Sequence, residues 1–253
     1  MELNYKEFGQ GDPVIILHGL FGTLDNWQTI AKQLGEHFTV FILDQRNHGR
    51  SPHLPSHHYL ELAEDLKNFM ESHWMYTAHI VGHSMGGKVA MQFALEYPDM
   101  VEKLAILDIA PKSYKGGHEL ILAALNSLDL STLTDRKEAE AHLLKTIPEA
   151  GVRQFLLKNL SRNTDGHYEW KMNLPILTDF YDEILENVKK NDSFEGETLF
   201  LRGGDSNYIQ ENEEALLREY FPKARLQTIA NAGHWLHADQ PQAVIEALKN
   251  FLM

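Results

Sequence analysis

The chain has 253 residues, a hydrophobic fraction of 43% and no cysteine. It therefore suits one full-core domain, with or without an insertion, and excludes disulfides, a thiol nucleophile and thiolate metal sites. The formal net charge of -13 argues against a nucleic-acid or anionic-membrane partner, because both select basic patches.

No apolar run reaches the roughly 18 residues needed to span a bilayer, so no membrane insertion is expected. The N-terminus lacks the basic start and apolar run of a secretory signal, which makes a cytoplasmic location the expectation. Nothing in the sequence speaks to oligomeric state.

Residues 3–8 read as an antiparallel edge strand. An apolar run over 14–17 stops at His18-Gly19, and a second over 39–43 stops at Asp44. Between them, Trp27, Ile30, Ala31 and Leu34 give 25–35 the spacing of a helix. Leu62, Leu66, Phe69 and Met70 do the same for 59–74. A strand over 78–81 stops at Gly82, and a helix over 85–97 follows the next turn. A strand over 104–107 ends at Asp108.

Residues 112 to about 192 then break the alternation. Helices are expected over 119–128, 136–146, 149–160 and 176–189, with no convincing strand. The rhythm resumes with a strand over 198–201, a helix over 208–220, a strand over 226–229 and a helix over 240–252. Strands this short and apolar read as buried on both faces of a parallel sheet. The fold class is α/β: a mostly parallel sheet flanked by helices. Its core is expected over 1–111 and 193–253, with 112–192 a helical cap inserted between two strands.

The chemistry lies at the ends of the strands. Gly82-His83-Ser84-Met85-Gly86 fits G-x-S-x-G between a strand and a helix. There a sharp turn lets a serine Oγ project above the sheet, and the helix N-terminus faces developing negative charge. A serine hydroxyl needs a base. His234, in Asn231-Ala232-Gly233-His234-Trp235 after the last strand, stands where the chain order nucleophile, acid, histidine requires it. Two backbone N–H groups must receive the oxyanion. Met85, after the nucleophile, supplies one, and Leu20, in His18-Gly19-Leu20-Phe21-Gly22, supplies the other.

Two aspartates compete to orient the histidine: Asp108 at the end of one strand and Asp205 after the next. Asp44 and Asp239 are weaker candidates, the second read as a cap of the last helix. In the loop 44–51, Arg46 and Asn47 are expected to satisfy loop backbone. His48, His53, His57 and His58 lack metal-ligand spacing and read as solvated surface. Phe21 and Trp235 are candidate walls of an acyl pocket, as are Trp27 and Trp170, although each taken singly is as well explained by packing. Lys88 reads as a helix residue and not as a catalytic lysine. No metal or cofactor is called for.

The runs HGLFG, DQRNHGRS, GHSMGG, LDIAP, LRGGDSNYI and AGHWLHADQP together resemble the α/β-hydrolase superfamily over most of the chain outside the cap. DQRNHGRS, with Asn47 where glycine is more usual, is similar to the small YbfF-type esterases and a related mammalian mitochondrial hydrolase. That resemblance implies a two-helix cap, no cofactor and hydrolysis of small acyl esters or thioesters. In the wider superfamily the acid's slot would fall on Ser206, one residue past Asp205. The narrower group instead implies an acid at Asp108.

The resulting expectation is a carboxylic-ester hydrolase acting on a small-molecule acyl substrate through an acyl-enzyme on Ser84. Thioesterases, C–C hydrolases, aminopeptidases and perhydrolases use the same triad. A slow-turnover ligand receptor is the alternative from another class.

Overall fold

The computed structural model describes residues 1–189 and 192–253. The chain begins with β1 (Tyr5–Phe8) and β2 (Pro13–Leu17). A 3-10 turn over Leu24–Trp27 leads into α1 (Gln28–Leu34). There follow β3 (Thr39–Leu43), α2 (Tyr59–Ser72), β4 (Ala78–His83), α3 (Met85–Glu96) and β5 (Val101–Leu107). An insertion then carries α4 (Glu119–Asn126), α5 (Arg136–Leu144), α6 (Ala150–Leu157), β6 (Leu160–Arg162), β7 (Tyr168–Trp170), α7 (Leu174–Asp179) and α8 (Tyr181–Leu185). The core resumes with β8 (Glu197–Gly203), α9 (Glu214–Tyr220), β9 (Ala224–Ile229), α10 (Leu236–Asp239) and α11 (Pro241–Leu252).

Seven strands form one sheet in the order β1-β3-β2-β4-β5-β8-β9. The β1–β3 pairing is antiparallel and the others are parallel. Crossover helices cover both faces, and this is why β2 and β3 can be near-continuous apolar runs. One face packs Phe69, Phe93, Phe200 and Phe221 beneath α2, α3 and α9. The other packs Trp27, Ile30, Ile245 and Leu248 from the α1 and α11 side. All parallel strands therefore end at one edge, where loops from several strands can converge on a site. No helix among the described residues is long and apolar enough to cross a membrane.

Four expectations are corrected. The strand expected at 226–229 to be buried on both faces belongs to β9, which lies at the sheet edge and leaves Arg225, Gln227 and Thr228 exposed. The helix expected from residue 208 begins only at Glu214, after a short 3-10 turn, because residues 206–208 form a tight turn in which Ser206 Oγ accepts from Tyr208 N at 3.2 Å. The insertion contains a β6–β7 hairpin, with Leu160 opposite Trp170, where no strand was expected. Among the described residues it also holds five helices, where the resemblance implied two and the periodicity four, the segment read as one helix over 176–189 being split at Phe180 into α7 and α8. Residues 190 and 191 of the expected cap lie outside the described residues.

The insertion packs its own apolar cluster, including Leu122, Leu125, Leu143, Leu156 and Leu177, directly on Leu20, Phe21 and Met85 of the core. Polar ties pin it to the loops at the strand ends. Asn173 N donates to Asn47 O at 2.8 Å, and Asn159 Nδ2 donates to Phe21 O at 2.7 Å.

Candidate active site

Ser84 sits between β4 and α3 with φ 53° and ψ -122°, a conformation that non-glycine residues rarely adopt. The turn around it tolerates no side chains. A Cβ on Gly82 would lie 2.3 Å from Gly86 O, and one on Gly86 would lie 2.4 Å from His18 O. Glycine at both positions lets strand, helix and the His18 loop close together, and the hydroxyl is left projecting above the sheet.

Three strand-end loops meet at this hydroxyl. His234 Nε2 lies 2.9 Å from Ser84 Oγ, and His234 Nδ1 lies 2.8 Å from Asp108 Oδ2. A carboxylate partner at Nδ1 fixes the proton there, so Nε2 is the acceptor for the serine hydroxyl. Asp108 is fully buried and also has positive φ, 51°. Its Oδ1 accepts from Gly203 N at 3.0 Å, and its Oδ2 accepts from Ser206 Oγ as well as from His234. Asp205 is exposed. Its backbone N–H donates to Ala232 O at 2.9 Å, and its side chain is not part of this network. Ser206, in the slot where the wider superfamily would carry an acid, instead supplies a hydroxyl to Asp108.

The imidazole is held on its other sides too. The Tyr208 ring stacks on it, with centroids 3.7 Å apart and 15° between planes. His83 Nε2 donates to the His234 carbonyl at 2.8 Å. Asp239 does not cap the last helix as expected. Its Oδ2 accepts from Gly233 N at 2.9 Å, bracing the loop just before His234.

The Leu20 and Met85 N–H groups, expected to face an oxyanion, donate to no protein acceptor among the described residues. The loop that carries Leu20 is fixed by two buried histidines that the sequence did not single out for this task. His18 Nδ1 donates to Gly19 O at 2.8 Å, while its Nε2 accepts from Gln45 N at 3.1 Å. His48 Nδ1 donates to Arg46 O at 3.1 Å, while its Nε2 accepts from Phe21 N at 3.3 Å. His48 and His57 are thus buried rather than solvated, which corrects the surface reading. Among the described residues, no three His, Asp or Glu side chains gather as a metal site.

Arg46 does more than satisfy loop backbone. Its Nε is 2.5 Å from Asp65 Oδ2, and its Nη1 is 2.8 Å from Glu61 Oε2, so it ties the loop to α2. Asn47 has φ 64°, which explains why glycine suits this position. Its Oδ1 accepts from Leu54 N at 2.7 Å.

These histidines have consequences for stability. Burial pushes His48 and His83 well below the ordinary imidazole value, and pushes His57 and His237 down to about 3. Above about pH 6.5 such a histidine is neutral in both folded and unfolded chains. Below it, the unfolded chain binds protons that the folded one refuses until its own lower value is reached, so stability falls with pH. His57 and His237 together should remove roughly 2–3 kcal/mol per pH unit between about pH 6 and pH 4. Urea unfolding at about pH 7, 6 and 5 checks this, and a midpoint independent of pH would refute it.

Lys88 lies one helical turn beyond Ser84, in α3 as expected of a helix residue, and is buried. Its Nζ donates to the carbonyls of Ile184 at 3.3 Å, Leu185 at 3.0 Å and Glu186. It also lies 5.0 Å from the Tyr114 ring centroid and 5.6 Å from that of Tyr59. Burial lowers its pKa to about 7.

Two cavities open at Ser84. The first, of about 30 Å³, is bounded by Phe21, Trp27, Val152, Phe155 and Trp235, and His234 lines it. The second, of about 190 Å³, is bounded by Met85, Ile109, Ile184, Leu185 and Tyr208. Phe21, Trp27 and Trp235 therefore wall a cavity at the serine. Trp170 lines neither cavity and belongs to the hairpin.

Comparison with known proteins agrees with this architecture. The family model described as alpha/beta hydrolase fold matches residues 12–241. Esterase YbfF of Escherichia coli is 39% identical over 95% of this chain and 92% of its own length. The mouse sn-1-specific diacylglycerol lipase ABHD11 is 38% identical over 94% of this chain and 80% of its own length. A solved structure described as a marine microorganism esterase superposes with a TM-score of 0.97 at 44% identity, covering 99% of both chains. By its matched length, its sheet order and these relatives, the chain belongs to the α/β-hydrolase fold family.

Proposed function

We propose that the protein is a serine carboxylic-ester hydrolase working through an acyl-enzyme on Ser84, with residues 112–192 acting as a cap over the site. The observation that carries this reading is the continuous line Ser84 Oγ, His234 and Asp108, closed by contacts of 2.9 and 2.8 Å between residues from three separate strand ends.

Ser84 Oγ attacks the acyl carbon as its proton passes to His234 Nε2. Asp108 stabilises the imidazolium through Nδ1 and does not take the proton itself. The carbonyl oxygen, now negative, is received by the Leu20 and Met85 N–H groups. Among the described residues these have no other protein acceptor and so need no reorganisation. His234 then protonates the leaving alkoxide, and the alcohol departs. Water delivers its proton to the same Nε2, attacks the acyl-enzyme and frees the acid and Ser84. The esterase and lipase names of the relatives agree with this chemistry.

The test is steady-state hydrolysis of ethyl and 4-nitrophenyl acyl esters across a series of chain lengths. Turnover that disappears in Ser84→Ala is the expected result. A folded protein inert toward every ester would overturn the reading.

A further inference from the structure

The two cavities at Ser84 divide the substrate between them. Resting on the ester-hydrolase reading above, the geometry points to an ester of a medium-chain acid with a small alcohol. The acyl chain lies in the Met85–Leu185 cavity and the alcohol in the Trp235–Phe155 cavity.

The assignment follows from where the proton must go. The leaving oxygen has to come within hydrogen-bond reach of His234 Nε2 to be protonated. His234, Trp235 and His237 line the smaller cavity, and none of them lines the larger one. Tyr208 is the partition. Its ring covers one face of the imidazole at 3.7 Å, while the residue itself lines the larger cavity. A group in the larger cavity therefore meets Tyr208 instead of His234, and the alcohol occupies the smaller one.

The oxyanion donors point the same way. Leu20 lines both cavities, whereas Met85 lines only the larger one. With the carbonyl oxygen held between these two N–H groups, the chain on the far side of the carbonyl carbon from the alcohol extends past Met85.

Size sets the chemical class. The larger cavity, about 190 Å³, exceeds the ~150 Å³ apolar cavity that accepts benzene, so it should take an acyl chain of about six to eight carbons. Met85, Ile109, Ile184 and Leu185 give it an apolar side that suits an alkyl chain, with Lys88 and Lys115 also on its walls. The smaller cavity, about 30 Å³, holds one or two water-sized groups on the same scale, which suits a methyl or ethyl alcohol.

The experiment measures kcat/KM by acid release for two series, ethyl esters of varied acyl length and hexanoate esters of varied alcohol. It uses the wild type, Leu185→Trp, Ile184→Ala and Val152→Trp. These residues line one cavity each and lie outside the reacting groups. The wild type should peak at six to eight acyl carbons and fall off as the alcohol grows. Leu185→Trp should lower the ratio of octanoate to acetate turnover at least tenfold, with far-UV circular dichroism showing that the variant is folded. Ile184→Ala should move the acyl optimum to longer chains. Val152→Trp should steepen the alcohol profile and leave the acyl optimum in place.

The inference is overturned if Leu185→Trp acts on the alcohol series, if Val152→Trp acts on the acyl series, or if active variants leave both profiles unchanged. Absence of wild-type turnover on every ester is a different failure. It removes the hydrolase reading, and this inference with it.

Discussion

Ser84→Ala is expected to lower kcat on any ester by about five to six orders of magnitude while leaving the thermal midpoint within a degree or two of wild type. The serine contributes no packing, since its hydroxyl projects from the turn toward His234 Nε2 at 2.9 Å. What the substitution removes is the covalent route. Residual catalysis would come from binding and from the Leu20 and Met85 donors, and such remnants amount to roughly 10³–10⁴ over water. Steady-state rates, with labelling by a fluorophosphonate probe as a second readout, check the result. Probe labelling lost in step with turnover would mark Ser84 as the acylated residue. A variant that kept more than a tenth of wild-type kcat would refute the mechanism, because no other residue in the site pairs a hydroxyl with His234.

Asp108→Asn is the second large effect, a fall in kcat of about 10⁴. The carboxamide can turn its NH₂ toward His234 Nδ1, and the imidazole proton then moves to Nε2, where it can no longer accept from Ser84. Gly203 N can still donate to the amide oxygen, so the loop need not collapse. Asp205→Asn should change kcat by less than about twofold, since that side chain is exposed and outside the triad. Both variants are compared by kcat and by far-UV circular dichroism. Equal small losses in the two would exclude both aspartates as the orienting acid. A large loss confined to Asp205→Asn would transfer the role to that residue.

The sequence makes the sheet readable because a strand buried on both faces must be apolar at every position. Ile15, Ile16, Val81 and Ile106 could hardly be anything else. The elbow is readable for a related reason: two glycines around one serine, between a strand and a helix, serve a backbone need that few other structures have. The hairpin of Leu160–Arg162 and Tyr168–Trp170 left no such trace, because three residues a side are too few to show an alternation.

From residue type alone, either of two aspartates in turns on adjacent strands could reach His234. The choice depends on a positive φ at Asp108 and on the way residues 203–206 fold back, and neither is written in residue type. The histidines misled for a similar reason. His48 in a loop of Arg, Asn and Ser reads as surface, yet it is buried among the rings of His18 and His57 with Phe21 N beside it.

Every hydrogen bond from Lys88 to the insertion ends on a main-chain oxygen, beside its contact with the Tyr114 ring. The acceptors are the carbonyls of residues 184–186, whatever side chains those residues carry. Ile184 and Leu185 meanwhile present their side chains to the larger cavity. Attachment and selectivity are thereby written in different atoms of the same short segment. On the proposed placement of the substrate, side chains at 184 and 185 can be exchanged one at a time while the main-chain contacts to Lys88 persist. Diversification of substrate range then needs no compensating change at the anchor, and the lysine can stay fixed while its neighbours drift.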